Sequence, residues 1–259
     1  MSKGEAVGGR GIAFPVGLRG LKEVESREPV VRLLLPAEYQ EEVPPFPLPG
    51  RARWEILREG AFPYLEEEAE NNRYTFILWN VASSYQKWVA ALLDRKASQS
   101  DVVVILHAAG EVVPHHLAHK SILKVGHQGS LHDTLFRLVS AMVLPAVFQS
   151  VIGADPVDIV RLSRSGGNLH VDFVETDKVE ALWAGIERCW ENFPFPWSRL
   201  KGLVFAIMAP VGMPVLTSSG LLDGDRWERL LGGEQVDIVV TLFGREDDCV
   251  SVTLLKFFR

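Results

Sequence analysis

Apolar residues along this chain alternate between continuous blocks and helical spacing. Val30 to Leu35 reads as a strand, and Tyr74 to Trp79, aromatic and β-branched, reads as another. Between them Pro36, Pro44, Pro45, Pro47 and Pro49 interrupt any regular element. Inside that interval Arg53 to Glu59 is expected to be helical, as is the acidic run Glu66 to Glu70, although a run of acids also fits a solvated face. Ser84 to Leu93 then places apolar residues at helical spacing, and Asp101 to Leu106 is a Val/Ile run. The order strand, helix, strand with continuous apolar strands predicts a parallel sheet buried on both faces.

A longer helix is expected from Ser130 to Val151, with Leu131, Leu135, Leu138, Met142 and Val143 near one face and a kink or end at Pro145. The Gly-rich turn Ser163 to Asn168 leads into His170 to Phe173, and a helix follows from Lys178 to Phe193. Next come a strand from Leu203 to Ala209 and a short helix from Asp225 to Leu231. The closing strands Val236 to Phe243 and Cys249 to Phe257 are separated by Gly244 to Asp248, whose polarity suits a hairpin loop. The fold class is therefore α/β: a parallel-sheet amino-terminal layer, a long central helix, and a smaller mixed-sheet α/β carboxy-terminal domain.

Composition narrows the functional classes. The 259 residues are 47% hydrophobic and 23% charged, enough apolar material for a core without disulfides. Lys and Arg total 27 against 33 Asp and Glu, a net charge of −6 that disfavours a phosphate backbone, so no nucleic acid is expected as partner. Cys189 and Cys249 lie far apart without a metal-ligand spacing and read as reduced, buried thiols. Neither a signal peptide nor a membrane span is expected, and the reading is a cytoplasmic protein.

The stretch from Gly129 to Val179 resembles the central helix of the tubulin/FtsZ family followed by the loop that the family inserts into the next subunit's nucleotide site. Family members carry a segment of the type N-L-D-F-A-D there, and His170-Val171-Asp172-Phe173-Val174-Glu175 takes that place. Lys201 to Ile207 resembles the strand that comes next, Val236 to Phe243 with Val250 to Leu255 the last hairpin, and Thr75 to Glu111 the strand, helix and strand that end the family's GTPase domain. The resemblance implies a degenerate nucleotide-domain-like region over 1–129, a central helix and inter-subunit loop over 130–177, and an activation-type domain over 178–259.

The departures are as informative as the matches. The family's phosphate nest of the type G-G-G-T-G-T-G has no counterpart, and Gly8-Gly9-Arg10-Gly11 precedes the first strand and lacks a P-loop ending. Where the family has an asparagine and an aspartate, this chain has His107-Ala108-Ala109-Gly110-Glu111. Where the central helix would carry a base-reading aspartate, it has Leu138-Val139-Ser140-Ala141. The expectation is an FtsZ/tubulin-like assembly or filament-regulating protein without autonomous GTP binding, a pseudo-GTPase with no cofactor. It would contact protein subunits, its own or an FtsZ-like partner's, through the loop 166–177. The alternatives are a divergent GTPase using GTP and magnesium to build its own filament, and a metal-dependent hydrolase.

Candidate chemistry is sparse. Asp172 and Glu175, expected at a helix start, admit two readings: a carboxylate pair that polarises water beside a neighbour's phosphate, or acids that cap the helix at Lys178. In Pro114-His115-His116-Leu117-Ala118-His119, His115 and His119 stand at i and i+4, with His107 or Glu111 as a third metal ligand. His116 replaces the glutamate that H-E-x-x-H chemistry needs, so no functional metal is expected. Arg161, Arg164 and Lys178 flank the Gly-rich turn, and Trp183, Trp190 and Trp197, seven apart, are expected to be core or interface residues.

Overall fold

The computed structural model describes residues 28–40, 46–61, 73–96, 102–108, 111–114, 122–127, 130–148, 150, 155–191, 196–215, 219–221, 223–232, 234–245 and 247–258. The Gly8 to Gly11 cluster, Glu66 to Glu70, His115, His116 and His119 lie outside them. The described strands are β1 (Val30–Leu35), β2 (Arg53–Arg58), β3 (Arg73–Leu78), β4 (Val102–Ala108), β5 (Ile122–His127), β6 (Gly167–Thr176), β7 (Leu200–Pro210), β8 (Asp237–Arg245) and β9 (Val250–Phe258). The helices are α1 (Ser83–Lys96), α2 (Leu131–Met142), α3 (Leu144–Val147), α4 (Pro156–Arg164), α5 (Leu182–Glu191) and α6 (Gly224–Leu231).

All the described strands join one sheet in the order β2-β1-β3-β4-β5-β6-β9-β7-β8. From β2 to β6 neighbouring strands are parallel, while β9 runs antiparallel to both β6 and β7. Arg53 to Glu59, expected to be helical, is strand β2. Its residues alternate, Glu55 lying beside Arg32 of β1 while Trp54 and Ile56 pack on the core, and the buried Arg32 donates from Nε (2.8 Å) and Nη2 (2.6 Å) to Glu55 Oε2. A helical turn there would strand that guanidinium in an apolar layer without a carboxylate.

Helix α1 covers one sheet face with Tyr85, Trp88, Val89, Leu92 and Leu93, which pack on Ile77 and Ile105 at the spacing the sequence announced. The opposite face carries α2, α3 and α4. Helix α2 opens on Ser130, whose hydroxyl accepts from the Asp133 amide, and closes at Met142. The break expected at Pro145 comes just before it: α2 ends at Met142 and Pro145 lies near the start of the separate short helix α3. The sequence reading missed α4, capped by the Asp155 side chain with proline at its first position, and the short strand β5.

Two further expectations are corrected. Residues 166–177 are not a loop: Gly166 and Gly167 turn the chain with φ of 62° and 106°, and β6 then runs for ten residues, paired with β9 from Asn168 to Thr176. The last two strands are not a hairpin, because β7 lies between β8 and β9. The burial pattern gives the reason. All nine residues of β9 are buried, as suits an interior strand, whereas β8 exposes part of its length and takes the sheet edge beside β7.

Candidate functional site

Open parallel sheets hold ligands beyond the carboxyl ends of their strands, at the point where strand order reverses. Here β2 lies on one side of β1 and β3 on the other, so the reversal falls between β1 and β3. At their carboxyl ends the segment after β1 and the turn from β3 into α1 border an open, shallow cleft of about 420 Å³, lined by Pro36, Glu38, Tyr39, Gln40, Leu78, Trp79 and Asn80. Its volume lies within the range of small-ligand sites.

The segment after β1 is held from two sides. Asn80 Nδ2 donates to Glu38 Oε1 (2.6 Å), and Arg58 Nη1 donates to the Tyr39 carbonyl (2.6 Å). Asn80 Oδ1 also accepts from the Ala82 amide (2.7 Å), tying the cleft to the start of α1. The turn from strand to helix reads Trp79-Asn80-Val81-Ala82-Ser83, with no glycine to let backbone amides close on a phosphate. Among the described lining residues Glu38 is the only charged side chain. The acidic field reaches inward: burial, with the charges of Glu59 and Glu38 adding to it, pushes the Tyr85 phenol above its usual range, and its hydroxyl donates to the Leu34 carbonyl (3.1 Å).

Other positions singled out in the sequence lie elsewhere. Leu138, Val139, Ser140 and Ala141 are buried in α2, with the Ser140 hydroxyl donating to the Phe136 carbonyl (2.8 Å). Glu111 Oε2 accepts from the Ala108 amide (2.9 Å), and His107 Nδ1 lies 3.1 Å from the Ala108 carbonyl. Among the described residues no group of three or more His, Cys, Asp and Glu side chains is placed to hold a metal ion. Arg161 pairs with Asp158 (3.3 Å) and Asp237 (3.8 Å). Trp183 and Trp190 are core residues gathered around Trp227, and Cys189 and Cys249 are free and half-buried.

Asp172 and Glu175 do not converge. Both sit on β6 rather than at a helix start, and residues three apart on a strand point to opposite faces. Asp172 turns toward α5, where Lys256 Nζ lies 2.8 Å from Oδ2 and His170 Nε2 lies 3.1 Å from Oδ1. Lys256 is fully buried, donates to the Cys189 carbonyl near the end of α5 (2.8 Å) and lies 4.8 Å from the centre of the Trp190 ring. Burial works against the Asp172 carboxylate, yet the His170 hydrogen bond and the Lys256 charge outweigh it and hold the carboxyl below its usual range. Glu175, on the other face, is half-exposed and 3.7 Å from Arg245 Nη1.

The sequence reading missed Glu38 and Asn80. The signal was available: each follows closely on a strand read correctly from its apolar pattern, and strand ends are the ligand positions of a parallel sheet.

No family model matches the sequence, and no curated protein is similar to it at the sequence level. Solved structures do match. The W319Y mutant of FtsZ from M. jannaschii is 11% identical with a TM-score of 0.54, covering 90% of this chain and 92% of that one. The empty FtsZ dimer from M. jannaschii is 12% identical with a TM-score of 0.51, covering 72% and 63%. The GTPgS-bound protofilament of CetZ2 from Haloferax volcanii is 14% identical with a TM-score of 0.50, covering 73% and 65%. The chain thus spans somewhat less than two thirds of the length of the last two. At such identities the likeness is one of architecture, and the chain has a tubulin/FtsZ-like fold.

Proposed function

We propose that this chain is an FtsZ/tubulin-like assembly protein that does not bind GTP on its own and acts as partner or regulator of a filament. The observation that carries the reading is the cleft at the carboxyl ends of β1 and β3. Its strand-to-helix turn has no glycine, and a carboxylate, Glu38, stands in the cleft where a phosphate would need backbone amides or a cation. A triphosphate brought there meets like charge, which costs rather than contributes binding energy.

Assembly is the second half of the proposal. The contact expected of residues 166–177 falls to the exposed end of β6 and the turn after it, where Glu175, Asp177 and Lys178 face solvent. A head-to-tail contact through that surface builds an open chain of subunits, and a subunit without a nucleotide site at its other end would cap it.

Calorimetric titration with GTP and magnesium tests the first half: the expected result is no saturable binding at millimolar nucleotide. Magnesium-dependent binding at micromolar affinity would replace this reading with that of a divergent GTPase. For the second half, light scattering of a polymerising FtsZ should fall when the protein is added, and less so with Glu175→Ala. No effect of either protein on polymer would sink the assembly role.

A further inference from the structure

We propose that the cleft between β1 and β3 binds an organic cation, a guanidinium or ammonium group on a short apolar stem; this rests on the reading that the cleft takes no nucleotide. The described lining sorts into one charge and a largely apolar wall. Glu38 is the charge, and Pro36, Leu78, Tyr39 and Trp79 supply apolar and aromatic surface, with Gln40 and Asn80 as the remaining polar groups. Aromatic walls beside a carboxylate are a favourable setting for a weakly hydrated cation, because ring faces and carboxylate attract the same sign of charge.

Among the described residues, the donors beside the cleft are already engaged. Arg58 gives its guanidinium to the Tyr39 carbonyl (2.6 Å), and the Ala82 amide at the start of α1 is met by Asn80 Oδ1 (2.7 Å). Glu38 itself is oriented by Asn80, which donates to Oε1, while Oε2 has no partner among the described residues. A planar guanidinium approaching Oε2 along the aromatic wall completes the carboxylate's hydrogen bonding without displacing Asn80. The cation comes from one of two sources, a free small molecule or a basic side chain of a second copy of the chain.

Agmatine, which carries a guanidinium and an ammonium on one short chain, is the probe, with N-butylurea as its uncharged counterpart and GTP in a parallel titration. Ligand-observed NMR on the whole chain should show saturable agmatine binding at millimolar concentration, no binding of N-butylurea, and about tenfold weaker agmatine binding in Glu38→Gln. Glu38 is exposed, so this variant should keep the wild-type melting temperature. If agmatine does not saturate, or Glu38→Gln binds it equally well, the cation site is wrong while the lack of GTP binding stands. If GTP saturates the wild-type protein and agmatine does not, both readings fail together. Sedimentation velocity separates the sources: oligomers dissolved by agmatine place a second copy's basic side chain in the cleft, and a monomer throughout places a free cation there.

Discussion

The most consequential single residue in the carboxy-terminal half is Lys256, a fully buried ammonium on the central strand β9. It is tolerated because three neighbours answer it: the Asp172 carboxylate, the Cys189 carbonyl and the Trp190 ring. Burial pushes its pKa down, and Asp172 pulls the other way without winning. Replacing Asp172 by Asn takes away the buried lysine's counter-charge and leaves it only the Cys189 carbonyl and the Trp190 ring, and urea unfolding should show a loss on the order of 3 kcal/mol. Changing the pair together, Lys256→Met with Asp172→Leu, should cost far less than the single change, because two apolar side chains need no partner. Equal losses would mean that the pair is not coupled. The pH dependence follows from the sign of the Asp172 shift. Its folded pKa lies below the unfolded value of about 4, so its contribution is complete above that pH and fades as pH falls through the folded value. Asp172→Asn should remove that part of the acid loss.

At the scale of elements, close approach decides whether α5 can lie on β6. A Cβ built at Gly185 would come within 2.4 Å of Val174 Cγ1, and a β-branched valine has little freedom to step aside. Gly185→Ala should therefore destabilise by about 1–3 kcal/mol in urea. Gly224→Ala at the start of α6, where nothing lies within 4 Å, should leave stability unchanged or slightly raised. Equal effects would remove close packing as the reason for Gly185. The same scale shows what was legible in the sequence. β1, β3, α1, β4, β7 and α6 could be read because each repeats one period for several residues and is buried accordingly. β2 misled because Arg53-Trp54-Glu55-Ile56-Leu57-Arg58 is too short to separate a period of two from one of 3.6, and what decides it is Arg32, distant in sequence. The hairpin expected at 244–248 failed for a related reason: strand order is set by which strand can be buried on both faces, and a local turn signal carries no information about β7 passing between. Asp172 and Glu175 stand out in the sequence as acids, but a spacing of three brings side chains together only on a helix, and this segment is extended.

For the whole molecule, the question is how a sheet with a narrow waist stays one body. β5 and β6 pair only at Leu123 with Gly167 and Lys124 with Asn168, so the hydrogen-bonded seam between the two halves of the sheet is short. The core does not narrow with it. One apolar cluster runs from Val31, Phe76 and Val104 of the amino-terminal strands through Leu135, Leu138, Val139 and Met142 of α2 to Val204, Phe243, Leu255 and Phe257 of the carboxy-terminal strands. Helix α2 packs on β6, β7 and β9 and meets Phe46 of the amino-terminal half through Phe136, while α4 lies on β4, β5 and β7, so the two helices bridge the halves, and burial of this kind outweighs a few ladder hydrogen bonds, each contributing about 1 kcal/mol net. Unfolding should then be a single transition. Hydrogen exchange read by mass spectrometry should show β4 and β7 opening with the same free energy, and Leu138→Ala, which empties a fully buried position in that shared layer, should lower both by a similar amount of about 2–5 kcal/mol. If Leu138→Ala speeds exchange in β4 but leaves β7 protected, the waist is a true boundary and each half holds its own stability.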